Sequence, residues 1–251
     1  SGVIKVAIDS QALFNNPYLN QWRLFFIGSA IISLSTLLTA VQLDLSAAES
    51  ISSMIKYTVR CAVPFLFLVF MASSLQVVWP SLFSRWLARN RKFLGLCFAS
   101  AMAWQALFIL WLVNIHSHYY AEEVYNLSDT IEGVGGYLFL LAMVATSFEF
   151  GRSCLTVKQW RNLHKAGIYY LWAYAWSVYW YELYYYGTLE FIDYVFYWFG
   201  FGAWGLRILA WSKKEQKKAV GAACFREKDA NPLGPCPVVA TPPTTPLYPP
   251  H

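Results

Sequence analysis

Charge is what this sequence has least of: Asp, Glu, Lys and Arg together make up 13% of the 251 residues, about half their share in soluble domains. A chain that poor in charge and 57% hydrophobic is expected in a bilayer rather than in water. The five cysteines, Cys61, Cys97, Cys154, Cys224 and Cys236, form no Cys-x-x-Cys pair, no Cys-x-x-Cys-His haem attachment and no zinc spacing. A disulfide framework, a structural zinc and a covalent c-type haem are therefore not expected. The opening residues Ser1 to Asn20 lack the basic, apolar and small-residue order of a cleaved signal. The net charge of +5 falls in short clusters beside apolar runs, which is how membrane topology is encoded, and nucleic acid is not an expected partner.

What the chain does have is aromatic residues, 19% of the total, and long apolar runs. Six runs approach the roughly 20 helical residues that cross a ~30 Å hydrocarbon core: 22–42, 57–79, 93–115, 135–151, 166–186 and 191–211. The fourth is short, but Gly135 and Gly136 allow its helix to begin near Ile131. The expected architecture is an all-α integral membrane protein, a six-transmembrane helix bundle, because lipid forces backbone groups to pair within helices. Residues 1–21 are read as an N-terminal cytoplasmic segment, 22–211 as the transmembrane domain, and 212–251 as a basic and then Pro-rich cytoplasmic tail. The tail from Asn231 holds eight of the eleven prolines and is expected to be disordered or polyproline-like. Leu43 to Ser53 is expected outside the hydrocarbon.

Cytoplasmic loops carry an excess of Lys and Arg. Arg85, Arg89, Arg91 and Lys92 lie between spans two and three, and Arg152, Lys158, Arg161 and Lys165 between spans four and five, with no acid in either group. The loop from His116 to Val134 carries Glu122, Glu123, Asp129 and Glu132 and no Lys or Arg. Both termini are thus expected in the cytoplasm, in agreement with Lys213, Lys214, Lys217 and Lys218 after the last span.

Ionisable residues near spans are candidates for function. Arg23, Arg207 and Glu149 lie close to the basic edge, where long side chains reach the interface, so a structural role is expected. Arg60, Glu182 and Asp193 fall toward the opposite ends of spans two, five and six and are expected to form a paired cluster. Trp172, Trp176 and Trp180 share a helical face on which a flat ligand such as a quinone can stack; interhelical packing is the competing reading. His116, His118 and His251 sit in a loop or at the chain end, which leaves His164, at the edge of span five, as the candidate ligand for haem iron.

Arg89-Asn90-Arg91-Lys92-Phe93-Leu94-Gly95-Leu96 and Trp160-Arg161-Asn162-Leu163-His164 resemble the two signature edges of the ferric reductase-like transmembrane domain family. That family includes the haem-binding membrane subunit of the bacterial methionine sulfoxide reductase system. The resemblance runs from about Tyr57 to Trp211. It implies a bundle in a bacterial inner membrane that binds b-type haem between spans three and five. Electrons would cross the membrane from a separate donor subunit or soluble reductase, since the ~40-residue tail is too short for an FAD or NAD domain. Relatives carry histidines where this chain has Gln105 and Ser177, at nearly equal depths of about 18 and 20 Å along their spans. Neither is a good iron ligand. Two roles are thus expected: electron transfer through haem b or a quinone near His164, or a redox-silent accessory subunit of a larger membrane complex.

Overall fold

A computed structural model describes Phe14 and residues 16–186 and 190–230, with backbone alone at 186 and 221–230. The expected tail from Asn231 lies outside the described residues. Among them there is no strand, and six long helices dominate: α1 (Gln21–Gln42), α2 (Ala48–Val78), α3 (Leu82–Ile115), α4 (Leu127–Ala145), α5 (Val157–Tyr181) and α6 (Phe191–Ala230). The first four are long and apolar enough to cross a membrane. The aromatic-rich α5 and α6 are not among those four; tyrosine and tryptophan carry polar handles that lower mean hydropathy without preventing burial.

Several boundaries differ from those expected, each for a local reason. Helix α3 begins at Leu82 rather than 93, because Ser81 and Ser84 cap one another: Ser84 N–H donates to Ser81 Oγ (3.1 Å) and Ser81 N–H to Ser84 Oγ (2.8 Å). Helix α5 begins at Val157 rather than 166 through the same device, with Thr156 N–H donating to Gln159 Oε1 (2.9 Å) and Gln159 N–H to Thr156 Oγ1 (3.3 Å). His164 therefore stands two turns inside a helix, not at its start. Helix α2 begins at Ala48, so half of the segment expected outside the hydrocarbon is helical. Helix α4 begins at Leu127, earlier than either expected start, and a separate short helix, Glu149–Ser153, follows it. Helix α6 runs on to Ala230, so the basic segment after 211 is helix; its Lys, Glu, Gln and Ala are good helix formers. Gly200-Phe201-Gly202-Ala203-Trp204-Gly205 has the letter spacing of a dinucleotide-binding loop, yet it lies inside α6 with no strand before it and forms no phosphate-cradling turn.

Helix α2 is the axis of the bundle. It packs on α1, α3, α5 and α6, and 44% of its most apolar window is buried, against 17% for α1 and 11% for α4, whose outer faces are left for lipid. Phe67 and Phe70 of α2 are fully buried in the main core with Leu66, Leu87 and Cys97. A second core cluster joins Ile51 and Met54 of α2 to Phe108 and Leu112 of α3.

At its N-terminal end α1 is clamped to α3 by Asn90, which is wholly buried. Asn90 Oδ1 accepts from the Gln21 N–H (2.9 Å), and its Nδ2 donates to Asn20 Oδ1 (2.9 Å) and the Trp86 carbonyl (3.1 Å). Trp86 Nε1 donates to the Leu19 carbonyl (2.8 Å). Gln21 has φ of 56°, a left-handed conformation rare for a residue with a side chain, and the Asn90 bond is what holds it. Replacing Asn90 with Ala is expected to cost about 1–3 kcal/mol, because it strands buried polar groups. Thermal unfolding of the detergent-solubilised protein, compared with Arg85→Ala on the exposed face of α3, measures it.

Candidate functional site

The capping box at Thr156 sets the register of α5 so that Trp160 and His164, four residues apart, share a face, with ring centroids 4.6 Å apart. Both reach the end of α4. Trp160 Nε1 donates to the Thr146 carbonyl (3.0 Å), and His164 Nε2 lies 3.1 Å from Thr146 Oγ1. Thr146 Oγ1 itself donates to the Ala142 carbonyl (2.7 Å), so in this contact the imidazole N–H is the donor and the hydroxyl the acceptor. Thr146 is buried. The pair of rings thus latches α5 onto α4, and Nε2 is engaged.

His164 also lines a cavity of about 780 Å³ between α2, α3, α4, α5 and α6. Its inner wall is apolar, from Leu66, Val69, Leu96, Leu140, Ile168 and Leu171. Its mouth is lined by Arg91, Arg152, Arg161 and Arg207, together with Lys92, Lys165 and Lys214, and by no Asp or Glu. Arg207, expected to have a structural role at the edge, lies across the rings of Phe70 (4.2 Å) and Tyr169 (4.5 Å). Arg152 lies over Trp160 (5.2 Å) and Lys92 over Phe148 (5.2 Å). Among the described residues none of these seven cations has a carboxylate partner.

The two positions at which the resemblance implies histidine, Gln105 and Ser177, make hydrogen bonds within the bundle. Gln105 Oε1 accepts from Tyr137 of α4 (2.9 Å), and the same hydroxyl lies 3.2 Å from the Met102 carbonyl. Ser177 Oγ donates to the Tyr174 carbonyl of its own helix (2.8 Å). The indole face expected to stack a flat ligand is stacked on protein. Trp172 lies on Phe70 (5.1 Å, 12°), Trp176 (6.1 Å) and Trp204 (6.4 Å), and Trp176 lies on Tyr197 (5.5 Å). Trp172 Nε1 donates to the Gly200 carbonyl (3.0 Å). A Cβ at Gly200 would stand 2.9 Å from both Phe67 and Trp176, so the missing side chain is what lets α6 close on this stack. The residues present do not fit a haem held between two imidazoles.

At the opposite end, Arg60 makes a two-pronged contact with Asp193 (3.0 and 3.1 Å) and reaches Glu190 (2.7 Å). The expected cluster of Arg60, Glu182 and Asp193 is thus formed in part: Glu182 pairs with Lys56 instead (3.7 Å), and Glu190 takes its place. His116 caps α3, and His118 pairs with Glu122 (3.1 Å) in the short helix that follows. Among the described residues no group of three His, Cys, Asp or Glu side chains is placed to hold a metal ion. The sequence reading did not single out Thr146, Asn90 or Tyr137; their partners lie 18 to 70 residues away, and local patterns do not carry such pairings. Comparison with known families, curated proteins and solved structures finds no match.

The Asp193 carboxylate is only 5% exposed, whereas Lys56 is 66% exposed. Arg60→Met should therefore destabilise by about 3–5 kcal/mol, since it strands a buried charge, and Lys56→Met by about 0–1 kcal/mol. Thermal unfolding of the two variants side by side gives the comparison.

Proposed function

We propose that this chain is a six-span membrane protein of ferric reductase-like type whose haem positions are closed, and that it serves as a redox-silent subunit of a larger membrane complex. The observation that carries this reading is the state of Gln105 and Ser177. Each lies where the resemblance calls for an axial imidazole, and each is satisfied by hydrogen bonds inside the bundle. The neighbouring tryptophans stack on protein rings, and His164 Nε2 is engaged by Thr146. An isolated protein without a Soret band and without pyridine-extractable haem is the expected result. A Soret band would overturn the reading.

Helices α5 and α6 are counted as spans because the 25 residues of α5 extend about 37 Å, more than the ~30 Å hydrocarbon core, and because the buried Asp193 of α6 is neutralised by Arg60. The acid-free basic segments support a cytoplasmic position for the cavity and both termini, and the plasma membrane of a bacterium is the compartment that the resemblance implies. Cys154 is exposed beside the cavity mouth. A membrane-impermeant maleimide should label it in inverted vesicles and leave it unlabelled in intact cells; the reverse pattern would invert the orientation.

Transmembrane electron transfer from a separate donor, through haem b or a quinone, is the second reading. The observation in its favour is the cavity itself, which sets His164 and Trp160 beside an apolar wall. A quinone recovered from the purified protein in stoichiometric amount would select it.

A further inference from the structure

We infer that the cavity around His164 binds the phosphate group of an acidic phospholipid, with the acyl chain lying along the apolar wall. Three observations lead there. The cavity mouth gathers cations from three separate stretches of chain: Arg91 and Lys92 on α3, Arg152 to Lys165 across the start of α5, and Arg207 and Lys214 on α6. No carboxylate of the described residues answers any of them, although the opposite end of the same bundle pairs its charges directly. Arg91 on α3 and Arg207 on α6 line the same cavity, so folding brings mutually repelling charges together with no carboxylate among the described residues to compensate them. An anion placed among them relieves that repulsion.

The second half of the cavity decides the kind of anion. Leu66, Val69, Leu140, Ile168 and Leu171 line its interior, a surface that a free phosphate leaves bare and that an acyl chain covers at about 25 cal/mol for each Å² removed from water. Basic pockets between spanning helices at the cytoplasmic face suit anionic headgroups, with about 1 kcal/mol for each Lys or Arg near the surface. Ser73 and Ser74 also line the cavity and supply neutral donors for phosphate oxygens.

The hydroxyl of Ser147 donates to the Met143 carbonyl (2.6 Å), so the guanidinium groups are the main donors. Arginine suits the task because its planar fork matches two phosphate oxygens at once. Arg152 and Arg161 are exposed at the rim and are free to turn toward a headgroup. Arg91 and Arg207 are half-buried and sit deeper.

The inference rests on the membrane placement proposed above and is independent of whether the bundle carries electrons. Its test uses the whole chain, purified in mild detergent and examined by native mass spectrometry with phosphatidylglycerol or phosphatidylcholine of identical acyl chains. Phosphatidylglycerol should be retained about tenfold or more over phosphatidylcholine. Arg152→Gln/Arg161→Gln, at the exposed rim, should remove most of that preference while the protein still unfolds cooperatively, with only the small shift expected from losing the Arg152 contact with Trp160. Arg85→Gln/Lys158→Gln, equal in charge and outside the cavity, should keep it. Equal retention of the two lipids, or a rim variant that behaves like the control, would overturn the proposal. Displacement of bound phosphatidylglycerol by millimolar inorganic phosphate would overturn the lipid source and assign the cavity to a soluble phosphate. A Soret band in the same preparation would count against the redox-silent reading alone, so the two failures are separable.

Discussion

Lipid cannot hydrogen-bond, and each polar group a helix carries into it must find its partner within the protein. That constraint sorts this structure into three zones. In the interior, Gln105 meets Tyr137, Ser177 turns back on Tyr174, and Trp172 finds the Gly200 carbonyl, the exceptions being the Thr36 hydroxyl, the Trp176 indole N–H and the Tyr179 hydroxyl, which are buried without a partner. At one end, Arg60 is matched to Asp193 and Glu190, and Lys56 to Glu182. At the other end the rule is suspended: cations converge on the His164 cavity and no carboxylate follows them. Unpaired charge is tolerated there because water and headgroups are within reach.

The interior of the bundle is filled largely by aromatic rings. Phe70, Trp172, Trp176, Tyr197 and Trp204 form a continuous aromatic stack, bringing large areas of apolar surface and ring-to-ring geometry to the same place. Gly200 lets α6 approach this stack, and any side chain there would hold the helices apart. The interior is thus closed by packing, and His164 acts through Thr146 as a latch between α4 and α5.

Much of this was legible in the residues before any coordinates. The long apolar runs gave all-α architecture, since periodicity and length are properties of a local stretch. The pairing of Arg60 with Asp193 was legible from depth alone: two opposite charges at one level of adjacent spans have few other partners. Depth could not rank Glu182 against Glu190, because the choice turns on where the connection between α5 and α6 places each carboxylate. The starts of α3 and α5 lie outside the apolar runs: the caps at Ser81-x-x-Ser84 and Thr156-x-x-Gln159 begin each helix two turns or more before its apolar stretch. The Asn90 clamp was not legible, since its partners Asn20 and Gln21 are about 70 residues away. Neither was the cavity, because its lining is drawn from five helices and no single stretch contains it.

The two ends of the bundle bear different loads. Where the charges are paired, as at Arg60, removing one partner leaves the other buried, so that end is committed to holding α2 against α6. Where the cations are unpaired, each can be satisfied by a ligand without breaking anything the fold relies on, and cation–aromatic contacts such as Arg207 over Phe70 and Arg152 over Trp160 hold the side chains in place meanwhile. Positive charge at one edge of a membrane bundle is explained by topology alone, but topology asks only that the charges be on one side. Their convergence on one apolar-walled cavity, next to the histidine that latches α5 onto α4, is an added property of the fold.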